Sequence, residues 1–201
     1  MLNKDVKQNI IKYIENLISE LRLKVINKAK TGIDSEQIVK NTVKLTVNKL
    51  TPESKIILNR VYDAMKSETL KKSIYDNIQH KRAFYDKDIL GSLNRKFRFE
   101  IPQDIDYKSC SEKINNLQKA GAICIAGGVV SFVISSSIPV FLAIVIAGLM
   151  VFTSRNKVDS NIDIINVIDN YLTSVERALV SWVESIEKFF DQQVQELEKS
   201  F

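Results

Sequence analysis

The sequence is poor in residues that make turns and in residues that carry common catalytic chemistry. Its 201 residues include six glycines and three prolines, too few for an all-β sandwich or barrel, which needs a turn signal about every ten residues. Two cysteines, Cys110 and Cys124, supply neither a disulfide framework nor a four-ligand zinc site. One histidine, His80, leaves little scope for metal binding or acid–base catalysis. We therefore expect an all-α protein that is not an enzyme, with no catalytic residue, metal or cofactor.

Phosphate-binding and export signals are also missing. Neither G-x-x-x-x-G-K-[ST] nor G-x-G-x-x-G occurs, and Gly127-Gly128 lies in an apolar stretch that follows no strand pattern. The first residues, MLNKDVKQN, are polar and lack the apolar core of a secretory signal. We therefore expect synthesis in the cytoplasm and then association with a membrane, which is compatible with a soluble form before insertion.

Charge is distributed unevenly along the chain. Residues 1–119 contain 24 Lys and Arg against 15 Asp and Glu, whereas residues 155–201 contain 5 against 9. The basic part is suited to anionic lipid, to nucleic acid or to the acidic C-terminal part of the same chain. Its cations are mixed with acids on helix faces and form no known nucleic-acid-binding motif. We expect a lipid membrane, and not nucleic acid, as the partner, although a solvated helical surface would show a similar excess.

The N-terminal part carries the pattern of amphipathic helices. Apolar residues at spacings of three and four form a first stripe, which consists of Ile11, Ile14, Ile18, Leu21 and Val25 and is widened by Val6, Ile10 and Leu17. Thr31-Gly32 predicts the end of this helix, because glycine readily adopts the left-handed conformation of a C-terminal cap. Asp34 or Ser35 is then expected to cap a second helix. Its predicted apolar stripe is Val39, Val43, Val47 and Leu50.

Further helix starts are predicted downstream. Thr51-Pro52-Glu53 combines a capping hydroxyl, a proline suited to the first helical position and an acid in the first turn. The core face of that helix would contain Ile57, Val61 and Met65. Ser67 is a candidate cap for another helix, with the apolar positions Leu70, Ile74 and Ile78. Residues 82–106 contain Gly91 and Pro102 as breakers, and we expect one short helix and a loop there.

The C-terminal part predicts one long helix, because no proline or glycine interrupts residues 159–201. Its apolar residues alternate between spacings of three and four and comprise Ile165, Ile168, Leu172, Val175, Leu179, Trp182, Ile186 and Phe189. The stripe then shifts, like a coiled-coil stutter, to Phe190, Val194, Leu197 and Phe201. We interpret the first set, from Ile165 to Phe189, as an oligomerisation seam for a second copy of the chain or for another helical protein.

The most informative segment runs from Ala120 to Ser154. It reads AGAICIAGGVVSFVISSSIPVFLAIVIAGLMVFTS and has no charged residue in 35 positions, whereas a membrane-spanning helix needs about 20 apolar residues. Pro139 predicts a turn near the middle, because proline lacks a backbone donor and disfavours helix in the residue before it. We therefore expect a helical hairpin with two apolar arms, each roughly 23 Å long. The residues predicted to insert into the membrane are Ala120, Gly121, Ile123, Ile125, Gly128, Val129, Phe132, Ile134, Pro139, Phe141, Leu142, Val145, Leu149 and Phe152.

Basic residues stand at both ends of this segment. Lys119 precedes it, and Arg155 and Lys157 follow it, so both ends are expected to stay on the cytoplasmic side. A short stretch upstream alternates cations and aromatic rings, a pattern suited to a lipid headgroup layer. The predicted membrane-interface residues are Arg95, Lys96, Phe97, Arg98, Phe99, Lys119, Arg155 and Lys157.

A uniformly apolar hairpin among amphipathic helices, carried here by Ala120–Ser154, resembles the pore-forming domain of colicins. The long helices around it are also similar to those of the cytolysin A group of α-helical pore-forming toxins. The resemblance concerns the layout of the chain and rests on no diagnostic motif. It implies a soluble form, insertion of the hairpin, and an assembled or voltage-sensitive pore.

These patterns predict an all-α fold, an amphipathic helical bundle with a central hydrophobic helical hairpin and a long C-terminal helix. The expected segments are a basic amphipathic region (1–118), the hairpin (119–155) and a long coiled-coil-like helix (156–201). The function expected is membrane permeabilisation or remodelling by an oligomeric pore-forming effector or toxin. Two alternatives stay open: a membrane-anchored coiled-coil adaptor or structural protein, and a soluble bundle in which the hairpin is the buried core.

Overall fold

The computed structural model describes residues 2–29, 35–97 and 161–201, most of which are helical. In chain order the elements are α1 (Lys4–Ala29), α2 (Ser35–Thr69), a 3₁₀ turn (Ser73–Asp76), α3 (Ile78–Asp86), α4 (Ile89–Lys96) and α5 (Asn161–Glu198). No strand occurs in this part of the chain, which confirms the predicted all-α fold and its long C-terminal helix. The predicted hairpin at Ala120–Ser154 lies outside the described residues.

Two compact units share the three long helices. Within the described chain, the first unit comprises residues 2–13, 51–97 and 180–201, and the second comprises residues 14–29, 35–50 and 161–179. Each unit therefore draws on α1, α2 and α5, because contacts form between neighbouring helices and not in chain order. The described parts of the predicted segments 1–118 and 156–201 therefore each contribute to both units.

The core of the first unit forms where α2, α3 and α5 meet. The Phe190 ring of α5 lies 5.9 Å from the Tyr62 ring of α2 and 6.3 Å from the Phe84 ring of α3, measured between ring centres. Helix α1 contacts α5 through Lys7, whose ammonium lies 3.3 Å from the Glu187 carboxylate. Edge-to-face rings of this kind add specific geometry to the burial of a large apolar area.

The core of the second unit contains the stripe predicted on α1. The buried members of that stripe are Ile14, Ile18, Leu21 and Val25, while Ile11 is only half-buried. At the edge of this core, the Arg22 guanidinium of α1 lies 2.5 Å from the Asp169 carboxylate of α5 and 3.2 Å from the Thr173 hydroxyl. Helix α1 therefore supplies apolar side chains to this core and also a charged side chain, Arg22, at its edge.

Helix α2 corrects the prediction of a new start at Thr51-Pro52-Glu53. It runs from Ser35 to Thr69 with Pro52 inside it. Proline removes one backbone hydrogen bond to the residue four positions earlier. Both Pro52 and Asn48 are exposed, so water can solvate the carbonyl that loses its partner. The predicted cap Ser67 also lies within this helix, which does not end until Thr69.

The buried residues on the first half of α2 include the predicted Leu50 and three residues that were not predicted. They are Ile38, Thr42, Thr46 and Leu50. Of the predicted valines, Val47 is half-buried, and the side chains of Val39 and Val43 lie outside the described part. The Thr42 and Thr46 hydroxyls each donate to the carbonyl four residues earlier, both at 2.8 Å. These bonds satisfy the hydroxyls, so threonine can be buried here at low cost.

The chain after α2 differs from the predicted helix with Leu70, Ile74 and Ile78 on its core face. The 3₁₀ turn intervenes, and α3 begins at Ile78. The Asn77 side chain accepts a hydrogen bond from the Gln79 backbone N–H at 2.8 Å, which caps the new helix. Ile78 is consequently exposed at the start of α3.

Residues 78–97 contain two short helices, α3 and α4, and the described part of the predicted range 82–106 includes the end of α3 and all of α4. Before α4, Asp88 adopts φ 46° and its carboxylate accepts a hydrogen bond from the Gly91 N–H at 3.0 Å. A Cβ at Gly91 would lie 2.1 Å from an Asp88 carboxylate oxygen, so only glycine allows this close approach. Gly91, predicted as a breaker, instead belongs to the first turn of α4.

Helix α5 buries the predicted seam and also shows the predicted shift. The buried seam residues are Ile168, Leu172, Val175, Leu179, Trp182 and Ile186. Phe190 and Val194 continue the buried stripe, whereas Phe189 is half-buried. The shift from Phe189 to Phe190 is therefore a change in the side of the helix that faces the core.

Tyr171 brings a phenol into the core of the second unit. Thr46 lies near its hydroxyl, but among the described residues no hydrogen bond of good geometry satisfies it. Burial raises the pKa of Tyr171, and the Thr46 hydroxyl offsets only part of that rise. The folded state therefore favours the neutral phenol. Tyr171 ionises first in the unfolded chain. The free energy of unfolding is therefore unaffected by this ionisation below the ordinary tyrosine pKa of about 10 and falls as the pH rises beyond it.

Leu172→Ala tests the importance of the α5 seam. Leu172 is 0% exposed and Leu23 on α1 is 64% exposed, so Leu23→Ala is a control with the same chemical change. We expect Leu172→Ala to lower the free energy of unfolding by about 2–5 kcal/mol, because it leaves a cavity. Leu23→Ala should change it by less than about 0.5 kcal/mol. Urea denaturation measures both, and equal effects would contradict the burial of the seam.

Tyr171→Phe tests the cost of the buried phenol. At about pH 8 the variant should be as stable as the wild type or more stable, because it removes a hydroxyl without a good hydrogen bond. At about pH 11 its advantage should grow, because the unfolded wild type ionises at Tyr171 whereas the variant does not. Urea denaturation at both pH values measures this difference, and an advantage that does not grow with pH would refute the assignment.

Candidate functional site

Three of the predicted membrane-interface residues lie at the end of α4. Phe97 is 3% exposed, and its ring centre lies 5.7 Å from that of Phe189 on α5. The Lys96 ammonium lies 4.2 Å from the centre of the same Phe189 ring. Phe97 is thus a core residue of the described chain, and its role at a membrane interface stays a prediction. Its burial follows from the spacing of Ile89, Leu93 and Phe97, which places all three on the buried side of α4.

Arg95 points away from this core. Its guanidinium lies 3.7 Å from the Asp88 carboxylate, and both side chains are largely exposed. An ion pair of this kind contributes little to stability, so Arg95 presents a solvated charge. The remaining predicted interface residues lie outside the described part of the chain and are Arg98, Phe99, Lys119, Arg155 and Lys157.

The α5 seam, predicted as an oligomerisation surface, is covered within the single chain. All its central side chains, from Ile168 to Ile186, are buried, and Ile165 is half-buried. A second copy would reach them only after the chain's own helices had moved away. These side chains therefore pack within the single chain.

An exposed surface of mixed character lies on α3. Ile78 and Tyr85 are 81% and 51% exposed, and the exposed side chains of Lys81 and Arg82 stand between them. Spacings of three, four and seven residues place all four on one side of a helix. We call this set, Ile78, Lys81, Arg82 and Tyr85, the α3 face. The opposite side of α3 carries Phe84, which is buried.

Packing on that opposite side holds the α3 face in place. The Phe84 ring contacts the Tyr75 ring edge-on, with 5.7 Å between centres, and also approaches Phe190. At the start of α3, the His80 ring stacks on Phe201 at 4.0 Å, and its Nδ1 atom lies 2.9 Å from the Ile74 carbonyl oxygen. The exposed side chains therefore project from a helix fixed by aromatic contacts.

Charges around α3 are mainly positive. Residues 70–97 contain seven Lys and Arg and three Asp. The Arg82 guanidinium is 3.8 Å from Asp86 in an exposed pair, which neutralises it only weakly. The Lys66 ammonium lies 5.1 Å from the centre of the Tyr85 ring and adds a further cation beside the face. Lys81 forms no ion pair with any described residue.

The α3 face is not predicted by the apolar spacing of Leu70, Ile74 and Ile78, which places Ile78 in the core of a longer helix. The available signal was Asn77, a residue that favours the N-cap position. Starting the helix after Asn77 places Phe84 on the inner side and Ile78 with Tyr85 on the outer side.

The described chain contains neither a metal-binding cluster nor a membrane-spanning helix. Within residues 2–29, 35–97 and 161–201, no three His, Cys, Asp or Glu side chains are grouped so that they could hold a metal ion. None of the helices in these ranges combines the length and the apolar character needed to cross a membrane. The residues predicted to insert, from Ala120 to Phe152, all lie outside the described part.

Comparison with known proteins gives no relative from which a function can be transferred. The sequence matches no protein family model, and no curated protein or solved structure is significantly similar to it.

Phe97→Ala tests whether the end of α4 is anchored on α5. We expect the free energy of unfolding to fall by about 3–5 kcal/mol, because a buried aromatic ring is lost beside Phe189. Tyr85→Ala removes an exposed ring from the same unit and should cost about 1 kcal/mol or less. Thermal or urea denaturation measures both variants. If Phe97→Ala is as mild as Tyr85→Ala, Phe97 is not a core residue.

Proposed function

We propose that this chain is a membrane-permeabilising protein whose segment Ala120–Ser154 inserts into a lipid bilayer as a helical hairpin. The observation that carries the proposal is the absence of any charged residue over those 35 positions. The amphipathic helices of the described chain have polar faces as well as buried stripes, whereas this segment has no charged face at all. Such a segment is favoured in hydrocarbon, where each charged residue would cost about 3 kcal/mol near the centre.

The ends and the middle of the segment suit a hairpin. Lys119 stands before it and Arg155 and Lys157 after it, so anionic headgroups would hold both ends on the same side. Each arm is roughly 23 Å long, less than a hydrocarbon core of about 30 Å, so insertion would thin the bilayer locally. A locally thinned bilayer is also one that leaks more readily.

Assembly of several copies is part of the proposal. The small residues Ala120, Cys124 and Gly127 recur at spacings of four and three and would allow close helix contact in lipid. The α5 seam is a poorer candidate for the resting protein, because its side chains are buried in the single chain. This burial also weakens the alternative of an adaptor that recruits a helical partner through α5.

Leu142→Asp tests the proposal, with Leu23→Asp as a matched control. Leu142 lies in the second apolar arm, and Leu23 is an exposed leucine of α1. The wild type should release a dye trapped in anionic liposomes. Leu142→Asp should slow release on the order of 100-fold, because a carboxylate in the bilayer costs about 3 kcal/mol. Leu23→Asp should release dye at the wild-type rate.

Circular dichroism of both variants in water separates the remaining alternative. In the proposed function, both stay as helical as the wild type. If Leu142→Asp unfolds in water while Leu23→Asp does not, the segment is the buried core of a soluble bundle, since an unpaired charge cannot be buried there. A wild type that releases no dye at any pH or lipid charge would refute the proposal.

A further inference from the structure

We propose that the α3 face is a docking surface for anionic phospholipid membranes, which brings the chain to the bilayer before the hairpin inserts. This inference rests on the proposed function and assigns its first step to described residues. The occupant is the lipid surface itself, and the contact is peripheral: the α3 face touches headgroups and does not cross the bilayer.

The first argument is the side-chain chemistry of the face. Ile78 and Tyr85 present apolar groups at the two ends of α3, and Lys81 and Arg82 lie between them. Long cationic side chains place their stems along apolar surface and their charges among phosphates. Tyrosine is favoured at the same depth, because its ring is apolar and its hydroxyl is polar. The apolar groups of the four side chains therefore suit the boundary with the acyl chains, and their polar groups suit the lipid headgroups.

The second argument is charge complementarity. The seven cations of residues 70–97 outnumber the three acids, which are Asp76, Asp86 and Asp88. Two of those cations, Lys72 and Lys87, are paired with α5 carboxylates at 2.8 Å and 3.5 Å. Lys81, Arg82 and Arg95 have exposed side chains, and the only ion pairs that Arg82 and Arg95 form with described residues are weak, exposed ones. Lys71 is also paired, with Glu68 at 2.7 Å. The exposed cations left to attract a negatively charged bilayer are therefore Lys81 and the weakly paired Arg82 and Arg95.

The third argument is size. A stable protein interface buries about 800 Å² per partner and uses about 20–30 residues on each side. The α3 face consists of four side chains on a nine-residue helix, which is too small for a stable protein–protein contact. A membrane, however, also attracts neighbouring cations such as Lys66 and Arg95, because its charge extends in all directions along the surface.

Rigidity gives the face a defined orientation. Phe84 is fixed between Tyr75 and Phe190, so α3 keeps its outer side turned outward within its unit. An amphipathic helix that is already folded loses less conformational entropy on binding than one that must first fold.

The decisive experiment compares charge reversals at two places. Lys81→Glu with Arg82→Glu changes the α3 face, and Lys24→Glu with Lys55→Glu makes the same change in net charge at exposed lysines elsewhere. Purified full-length variants are sedimented with vesicles of phosphatidylcholine containing phosphatidylglycerol, at low salt. We expect the α3 variant to bind at least about 10-fold more weakly than the wild type. The control should stay within about 3-fold.

A second pair tests the apolar part of the face. Ile78→Gln should weaken sedimentation with the same vesicles several-fold, whereas Ile56→Gln, at an exposed isoleucine of α2, should not. Binding of the wild type should fall as salt is added and should be weak with pure phosphatidylcholine. If the α3 variants bind like their controls, or if the wild type binds neutral and anionic vesicles equally, the inference is overturned.

Tethering separates docking from insertion. A histidine-tagged Lys81→Glu/Arg82→Glu protein attached to nickel-chelating lipid should regain dye release, because the tether replaces docking. A tethered Leu142→Asp protein should remain inactive. If the wild type releases dye and tethering does not restore release by the α3 variant, the docking role is overturned. A wild type that binds anionic vesicles through α3 but never releases dye would refute the proposed function and leave the docking surface standing.

Discussion

Burial of the α5 seam is the constraint on which both compact units depend. Each unit contains a stretch of α5 with its buried side chains, such as Leu172 in the second unit and Phe190 in the first. Salt bridges line the buried stripes: Arg22 with Asp169 in the second unit, and Lys7 with Glu187 in the first. Because an isolated helix is only marginally stable in water, most of the stability of α5 must come from this packing.

The chain contains two kinds of apolar sequence, which differ in whether apolar residues recur with the period of a helix. The stripes of α1, α2 and α5 recur with the period of a helix and are satisfied by one another. The segment Ala120–Ser154 has no such period and no charged face. Since the amphipathic stripes are already buried within the chain, the affinity for a bilayer that we propose must come mainly from the uniform segment.

The elements that sequence reasoning predicted well were those set by periodicity. The α1 stripe, the α5 seam and the shift to Phe190 follow from spacings of three and four residues, which any packed helix must obey. The errors arose where local hydrogen bonding decided the outcome. Thr42 and Thr46 occupy core positions because their hydroxyls bond to the preceding turn, which hydropathy does not register.

Some predicted helix boundaries were wrong for a related reason. Pro52 is suited to a first turn, yet it lies within α2, because solvent can replace one backbone bond and the buried faces on both sides of it continue. Asn77, by contrast, separates the 3₁₀ turn from α3 and caps the start of that helix. This boundary turns Ile78 outward and creates the α3 face, so the part of the candidate site that is described depends on a single cap. The other part, the proposed hairpin at Ala120–Ser154, stays a prediction that rests on the absence of charged residues in the sequence.

Docking and insertion, as proposed, rely on forces with different ranges and different sensitivity to salt. Attraction between the α3 cations and anionic lipid acts over about 8 Å at physiological ionic strength and weakens as salt is added. Transfer of Ala120–Ser154 into hydrocarbon acts only on contact and depends on the apolar area removed from water. Electrostatic attraction would therefore raise the concentration of the chain at the membrane. Burial of Ala120–Ser154 in hydrocarbon would then hold the chain in the bilayer. The two proposed steps are assigned to different parts of the chain, docking to α3 and insertion to the segment between α4 and α5, so each can be altered by substitutions that leave the other sequence unchanged.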